Sequence, residues 1–302
     1  MTLAGYSNFK YSCFMYRKYI GPGSLLLIGV LFGLSGVIAK YLSGWLSSYQ
    51  VVEYRFLVAL IFALVILGTT KQKLSFNKLD IKTLILFAIT FPVSVIFFTL
   101  AIFNTTVSLA VFSFYIATLV SSFVVGRMYF SERITTNKKI ALFFILLAVL
   151  AFTNPFQNFN LQLGFVFGII SGFFQTIASS FQKIVGKSTN KISLLIIQTL
   201  AGVGISALAI NISGGSLLPA IPQSAMLVTI LFGALFLAIS YLFLVGFRNT
   251  NLNTGSILVS SELFFGPFFA FILLSENLTR LELLGGVFIA VAVLFSNRRD
   301  SL

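Results

Sequence analysis

Glu262 is the residue of this sequence best placed to do chemistry. It lies about nine residues into an apolar run that starts near residue 254, where a charged side chain costs about 2.5–3.5 kcal/mol to place in lipid. Helical spacing puts Gly255 and Gly266 on its face, and Ser261 is its neighbour. Two interpretations stay open: a carboxylate that binds a substrate amine or an exchangeable proton, and a hydrogen-bonded side chain that fixes close helix contacts.

A row of hydroxyl groups marks a second apolar run. Tyr115, Thr118 and Ser122 follow i, i+3, i+7 spacing on one helical face. We expect this face to line a cavity opposite Glu262. The alternative is hydrogen bonding of these hydroxyls between packed helices, which is common in membranes.

Three charged residues form a second group of candidates. Glu53 and Arg55 are two residues apart, so they point to different sides of a helix and do not pair well. Lys40 lies at the end of the first apolar run, and Glu53 lies near the start of the second. Their depths in the membrane are therefore similar, which predicts a pair near the outer mouth. Lys40 has an alternative, because a lysine at a helix end also reaches the headgroups. Arg55 lies deeper and is expected to face the cavity or a backbone carbonyl.

Two prolines are expected to bend helices. Pro92 and Pro267 each lie inside an apolar run, where the missing N–H interrupts the helical hydrogen bonds. Such bends are candidates for the moving parts of a gate.

Other kinds of chemistry have no residues to support them. The sequence contains no histidine, and Cys13 is its one cysteine. We therefore expect no catalytic residues, no metal site and no cofactor, because triads, Cys–His pairs and zinc sites need these side chains. No phosphate-binding loop of the ATP-hydrolysing kind is present.

The elements that position these residues are helices in lipid. Of the 302 residues, 58% are hydrophobic and 9% charged, against about 25% charged in ordinary globular chains, and the mean hydropathy is +1.03. A membrane span needs about 20 apolar residues. Ten runs qualify, of which the fifth and tenth are the shortest: 22–41, 49–68, 82–103, 106–130, 138–154, 161–182, 192–211, 225–246, 254–274 and 279–296.

Basic residues set the direction of these runs. If the N-terminus is inside, all but three of the 20 basic residues fall in inner segments, the exceptions being Lys40, Arg55 and Arg280. Basic loops stay cytoplasmic, so both termini are predicted to be cytoplasmic. The same distribution explains the net charge of +13 by orientation and by attraction to anionic membrane lipids, and we expect no nucleic-acid partner.

The chain also contains an internal repeat. Residues 97–140 align with 241–284 without a gap at an offset of 144, so Thr118 corresponds to Glu262 and Ser-Glu-Arg-Ile-Thr at 131–135 to Ser-Glu-Asn-Leu-Thr at 275–279. Five runs per half is an odd number, so the second half is inverted, as in many transporters. The predicted fold is an all-α integral membrane protein of ten transmembrane helices in two inverted five-helix repeats.

The domain boundaries follow from the runs. A cytoplasmic N-terminal segment covers 1–21, the first repeat 22–154, the second repeat 155–298 and a cytoplasmic tail 299–302.

The sequence resembles the EamA type of the drug/metabolite transporter superfamily. The residues that carry the resemblance lie in the first two runs and at the end of each repeat: Gly29, Gly33, Lys40, Arg55-Phe56, Glu132-Arg-Ile-Thr and Glu276-Asn-Leu-Thr. Glu262 stands where that family often has Glu-Pro; here Leu263 follows, and the proline is displaced to Pro267. The resemblance implies ten helices around a central cavity and export of small metabolites by alternating access.

The leading functional hypothesis is a secondary transporter in a bacterial-type plasma membrane, exporting a small metabolite such as an amino acid. The alternative is a membrane-embedded enzyme or a non-transporting small-molecule receptor. An enzyme would need clustered acids or nucleophiles, whereas the seven carboxylates here are scattered. The oligomeric state is left open.

Overall fold

A computed structural model of the protein describes residues 3–75, 81–105, 107–153, 163–187, 190–217, 221–274 and 280–297. Within these ranges the regular structure is entirely helical. The helices are α1 (Leu3–Leu42), α2 (Ser48–Thr70), α3 (Ile81–Asn104), α4 (Val107–Phe130), α5 (Thr136–Thr153), α6 (Leu163–Val185), α7 (Lys191–Ile212), α8 (Gln223–Asn249), α9 (Leu252–Val259), α10 (Glu262–Leu274) and α11 (Arg280–Asn297).

The helices confirm the prediction of an all-α, multi-pass membrane protein. Helices cover the described part of all ten predicted runs except for Ser260 and Ser261 in the ninth. Among the described residues, eight stretches are long and apolar enough to cross a membrane: Tyr19–Leu42, Ser48–Thr70, Ile81–Asn104, Ser113–Phe130, Leu163–Val185, Lys191–Ile212, Gln223–Asn249 and Leu252–Leu273. The two shortest predicted runs are the helices α5 and α11, which pack against each other.

The ninth run differs from the uninterrupted helix expected over 254–274. It is divided into α9 and α10, with a turn at Ser260 and Ser261. The expected bend residue, Pro267, lies further along α10, and its side chain is outside the described part of the structure. Pro92 lies buried inside α3, and the helix continues through it.

The packing partners of the two halves correspond. Helix α1 packs against α8, α9 and α10, and α6 packs against α3 and α4. Helices α2 and α7 contact each other, while α2 also contacts α8 and α7 also contacts α3. Exchanging each of these helices with its counterpart in the second half, with α9 and α10 counted as one, reproduces these contacts.

Glycines bring the first helix of each half close to its partner. A Cβ on Gly33 of α1 would lie 2.7 Å from the backbone nitrogen of Gly266 in α10. A Cβ on Gly172 of α6 would lie 2.8 Å from the Cβ of Ala117 in α4. Small residues allow such backbone approach in membranes, where packing drives helix association. These contacts place α10 and α4, which carry the candidate site, beside α1 and α6.

Candidate functional site

The centre of the site is a hydrogen bond between Tyr115 and Glu262. The hydroxyl of Tyr115 on α4 donates to a carboxylate oxygen of Glu262 in the first turn of α10. Tyr115 is buried and Glu262 is half-buried. The contact joins a helix of the first half to its counterpart in the second half, so Tyr115 and Glu262 lie on facing helices.

The break between α9 and α10 gives Tyr115 a second acceptor. The N–H of Leu263 donates to the carbonyl of Ser260, three residues back, at 3.0 Å. A continuous α-helix would direct that N–H to the carbonyl of Val259. The Val259 carbonyl instead lies 3.4 Å from the Tyr115 hydroxyl. Discontinuous helices of this kind commonly form the binding sites of transporters.

A small cavity adjoins this pair. Its volume is about 10 Å³, which is about the space that one water molecule needs. Phe32, Phe114, Tyr115, Thr118, Gln175, Ser179, Phe243, Phe247, Ser256 and Val259 line it. The described state of the protein is therefore closed around its centre.

Of the other residues predicted to line the cavity, Thr118 does so, whereas Ser122, Ser261 and Gly255 lie beside it. Thr118 lines the cavity and donates to the carbonyl of Gly172 at 3.3 Å. The buried Ser122 hydroxyl donates to Leu119 of its own helix at 2.9 Å. Ser261 lies against Gly29 of α1, and Gly255 lies against Phe247. Ser122 bonds within its own helix, and packing occupies Ser261 and Gly255, so these three lie beside the cavity rather than on its wall.

Sequence reasoning missed the polar face of α6. Ser171, Gln175, Ser179 and Gln182 recur at helical spacing and are all buried. Ser94 of α3 donates to the Gln175 amide oxygen at 3.3 Å, whereas neither amide atom of Gln182 has a hydrogen-bond partner in the described part of the structure. The periodic polar positions in an otherwise apolar run were the signal available in the sequence.

A second missed cluster surrounds Glu132 at one end of the bundle. Its carboxylate forms an ion pair with Lys183 of α6. It also accepts hydrogen bonds from the backbone N–H groups of Leu252, at 2.7 Å, and Asn253, at 3.3 Å, at the start of α9. A carboxylate at a helix N-terminus satisfies free N–H groups and interacts favourably with the helix dipole. We call Glu132, Lys183 and the first two residues of α9 the Glu132 cluster.

The end of α4 explains how Glu132 reaches this position. Ser131 adopts a left-handed backbone conformation with a φ of 50°. The N–H of Glu132 then donates to the carbonyl of Gly126 at 2.9 Å. A Cβ on Gly126 would lie 3.0 Å from a carboxylate oxygen of Glu132, so the glycine leaves room for that carboxylate. The repeated Ser-Glu pair was visible in the sequence, but these contacts across the fold were not.

Arg55 is buried away from the cavity. Its guanidinium carbon lies 4.9 Å from the ring centre of Phe232 and 5.0 Å from that of Phe236, and it donates to the Thr99 hydroxyl at 3.3 Å. Aromatic rings and a hydroxyl therefore take the place of the cavity or the carbonyl expected from the sequence, because a guanidinium stacks well on rings. Contacting rings of Phe236, Phe91 and Phe243 connect it to the cavity wall.

For the predicted outer-mouth pair of Lys40 and Glu53, the structure gives a side-chain contact of Glu53. Glu53 is buried at the start of α2 and accepts a hydrogen bond from Ser206 of α7. Lys40 is exposed in the last turn of α1. The Lys40–Glu53 pair stays a prediction.

Comparison with known proteins agrees with this architecture. A crystal structure of another protein matches 93% of this chain and 96% of its own with a TM-score of 0.76 and 11% identity, which supports the fold alone. None of the curated proteins matches the sequence at a significant level. The model of the EamA-like transporter family matches residues 162–298. This match lies within the second predicted repeat, and it agrees with the resemblance to the EamA type that the sequence shows.

Proposed function

We propose that this protein is a secondary transporter that exports a small metabolite with an amino group, such as an amino acid, by alternating access. The observation that carries the proposal is the Tyr115–Glu262 hydrogen bond at the break between α9 and α10. A substrate ammonium group would replace the Tyr115 hydroxyl as the donor to Glu262, since a charge-assisted hydrogen bond is stronger than a neutral one.

The proposed architecture is ten spans in two inverted repeats, 22–154 and 155–298. The exchange of packing partners between the halves supports it, as does the odd number of spans per half. The distribution of basic residues supports cytoplasmic segments 1–21 and 299–302 in a plasma membrane.

The closed centre supports a mechanism with moving helices. A cavity of about 10 Å³ is far smaller than the sites of several hundred Å³ that usually hold small molecules. Substrate entry from the cytoplasm therefore needs α4, α6 and α9 to separate. The Glu132 cluster joins these three elements, so we assign it the role of an inner closure. The polar face of α6 lies between this closure and the cavity and would provide the path.

The test is transport by purified protein in liposomes. Labelled amino acids, amines and sugars are loaded, and the released solute is analysed chemically. We expect release of one amine-bearing class, unchanged in structure, and its loss in Glu262→Gln. A matched pair on one helix supplies the control: Tyr115→Phe impairs transport, whereas Tyr129→Phe, at a position that is 79% exposed, does not.

Chemical conversion of the solute would favour the membrane-embedded enzyme. Saturable binding without flux would favour the receptor. Equal transport by Glu262→Gln and the unaltered protein would contradict the proposed site.

A further inference from the structure

An apolar groove lies on the surface of the bundle between α2, α7 and α8. Its volume is about 420 Å³. Side chains from all three helices line it, among them Phe62, Ile66, Ile192, Leu195, Leu237 and Tyr241. Phe62, Ile66 and Tyr241 are exposed, so the groove is open to the surrounding lipid and separate from the central cavity.

Two positive charges stand at one end of this groove. The Lys191 ammonium, at the start of α7, lies 5.7 Å from the ring centre of Tyr241. Arg248, in the last turn of α8, follows Tyr241 by seven residues and therefore lies on the same face of the helix, two turns nearer its end. Neither α7 nor α8 contains an aspartate or a glutamate. The two cations therefore favour an anion between them.

The position of the cations along the helices matches a membrane surface. Helix α2 ends at Thr70, α7 begins at Lys191 and α8 ends at Asn249. These three ends lie on the same side of the bundle. The Asn190 amide, just before α7, donates to Gln72, just after α2, and Lys191 lies against the ring of Tyr241 in the last turns of α8. The apolar lining is then at the depth of acyl chains, and the cations are at the depth of lipid headgroups.

We propose that this groove binds one anionic glycerophospholipid, with an acyl chain along α2, α7 and α8 and its phosphate beside Lys191 and Arg248. Basic sites between transmembrane helices bind anionic headgroups through the same combination of charge and apolar contact. In the proposed orientation the lipid belongs to the cytoplasmic leaflet, where anionic lipids are abundant.

Native mass spectrometry of the full-length protein tests the proposal with phosphatidylglycerol and phosphatidylcholine as probes. We expect tighter binding of phosphatidylglycerol by the unaltered protein. The double variant Lys191→Gln with Arg248→Gln should lose about 30-fold in affinity for phosphatidylglycerol, since each basic residue near the surface contributes about 1 kcal/mol. Its affinity for phosphatidylcholine should change little. The charge-preserving pair Lys191→Arg with Arg248→Lys should retain the preference.

Matched controls separate this site from general attraction. Arg127→Gln with Lys139→Gln removes two exposed basic residues outside the groove and should leave the preference intact. Ala238→Phe fills the groove wall and should weaken binding of both lipids. Equal phosphatidylglycerol affinity in the Lys191/Arg248 double variant and the unaltered protein would overturn the proposal. The proposal would also be overturned if the Arg127/Lys139 double variant lost the same affinity for phosphatidylglycerol, or if Ala238→Phe bound both lipids as the unaltered protein does.

Discussion

The Glu262 carboxylate is the residue on which transport depends most directly. Glu262→Gln keeps the shape of the side chain but removes its charge. A charge-assisted hydrogen bond is worth about 1.5–3 kcal/mol, so we expect flux in liposomes to fall by about tenfold or more. Folding, measured by thermal unfolding in detergent, should change little because an amide still accepts from Tyr115.

A fall in thermal stability without loss of flux would reverse this assignment. Glu262 would then be a packing residue, as one of the two sequence interpretations held, and the substrate site would have to be sought on the polar face of α6.

A second single-residue prediction concerns Arg55, whose replacement we expect to lower the stability of the protein. Its planar guanidinium lies against the rings of Phe232 and Phe236. Arg55→Lys keeps the charge but loses the planar stacking, so we expect a loss of about 1–2 kcal/mol in the free energy of unfolding. Arg127→Lys, at an exposed position of α4, is the control. Equal stability of Arg55→Lys and the unaltered protein would show that the ring contacts contribute nothing.

At the scale of elements, the contact of α1 with α10 depends on Gly33. A Cβ there would meet the backbone of α10, which cannot move aside without separating the helices. Gly33→Ala should therefore destabilise the protein by about 1–3 kcal/mol. Gly36, on the same helix, has no atom within 4 Å of an added Cβ, so Gly36→Ala is the matched control. A similar unfolding temperature for the two variants would contradict this account of the packing.

The Glu132 cluster makes a prediction about which side of the protein opens. Glu132→Gln leaves the half-buried ammonium of Lys183 without its carboxylate partner, and a charge that is shielded from water and unpaired is costly. The charge is relieved when the inner side opens to water, so the variant should favour the inward-open state. A cysteine at Ser179, in a Cys13→Ser background, should react about tenfold or more faster with a polar thiol reagent in Glu132→Gln. Lys139→Gln, at an exposed position, should leave the rate unchanged.

At the level of helices, the sequence predicts some features of the structure and not others. The helices follow from local apolar runs, so their positions along the chain and their approximate bounds were readable. The turn at Ser260 and Ser261 was not, because the expected signal, Pro267, lies several residues further on. Glu132 and Lys183 are 51 residues apart in sequence, and their contact depends on how α4 and α6 pack. The aromatic lining of the cavity was unreadable for the same reason, since the sequence contains 36 phenylalanines and most runs hold at least two.

For the whole molecule, the basic residues predict which ends of the helices are cytoplasmic. A cysteine at Ser75, after α2, should react only with reagent on the inner side, and one at Gly44, between α1 and α2, only on the outer side. Both are placed in a Cys13→Ser background and labelled in intact cells and in inverted vesicles. Labelling of residue 75 from outside alone would reverse the proposed orientation.

The packing of first-half helices against second-half helices has a consequence for synthesis of the chain. Helix α1 ends at Leu42, but its main partner α8 begins at Gln223, about 180 residues later. At a translation rate of about 5–20 residues per second, this interval lasts roughly 10 to 40 s. During that time the glycine surface of α1 has only lipid or other membrane proteins against it. Helix α1 therefore waits for the second half of the bundle before its glycines are covered by the chain itself.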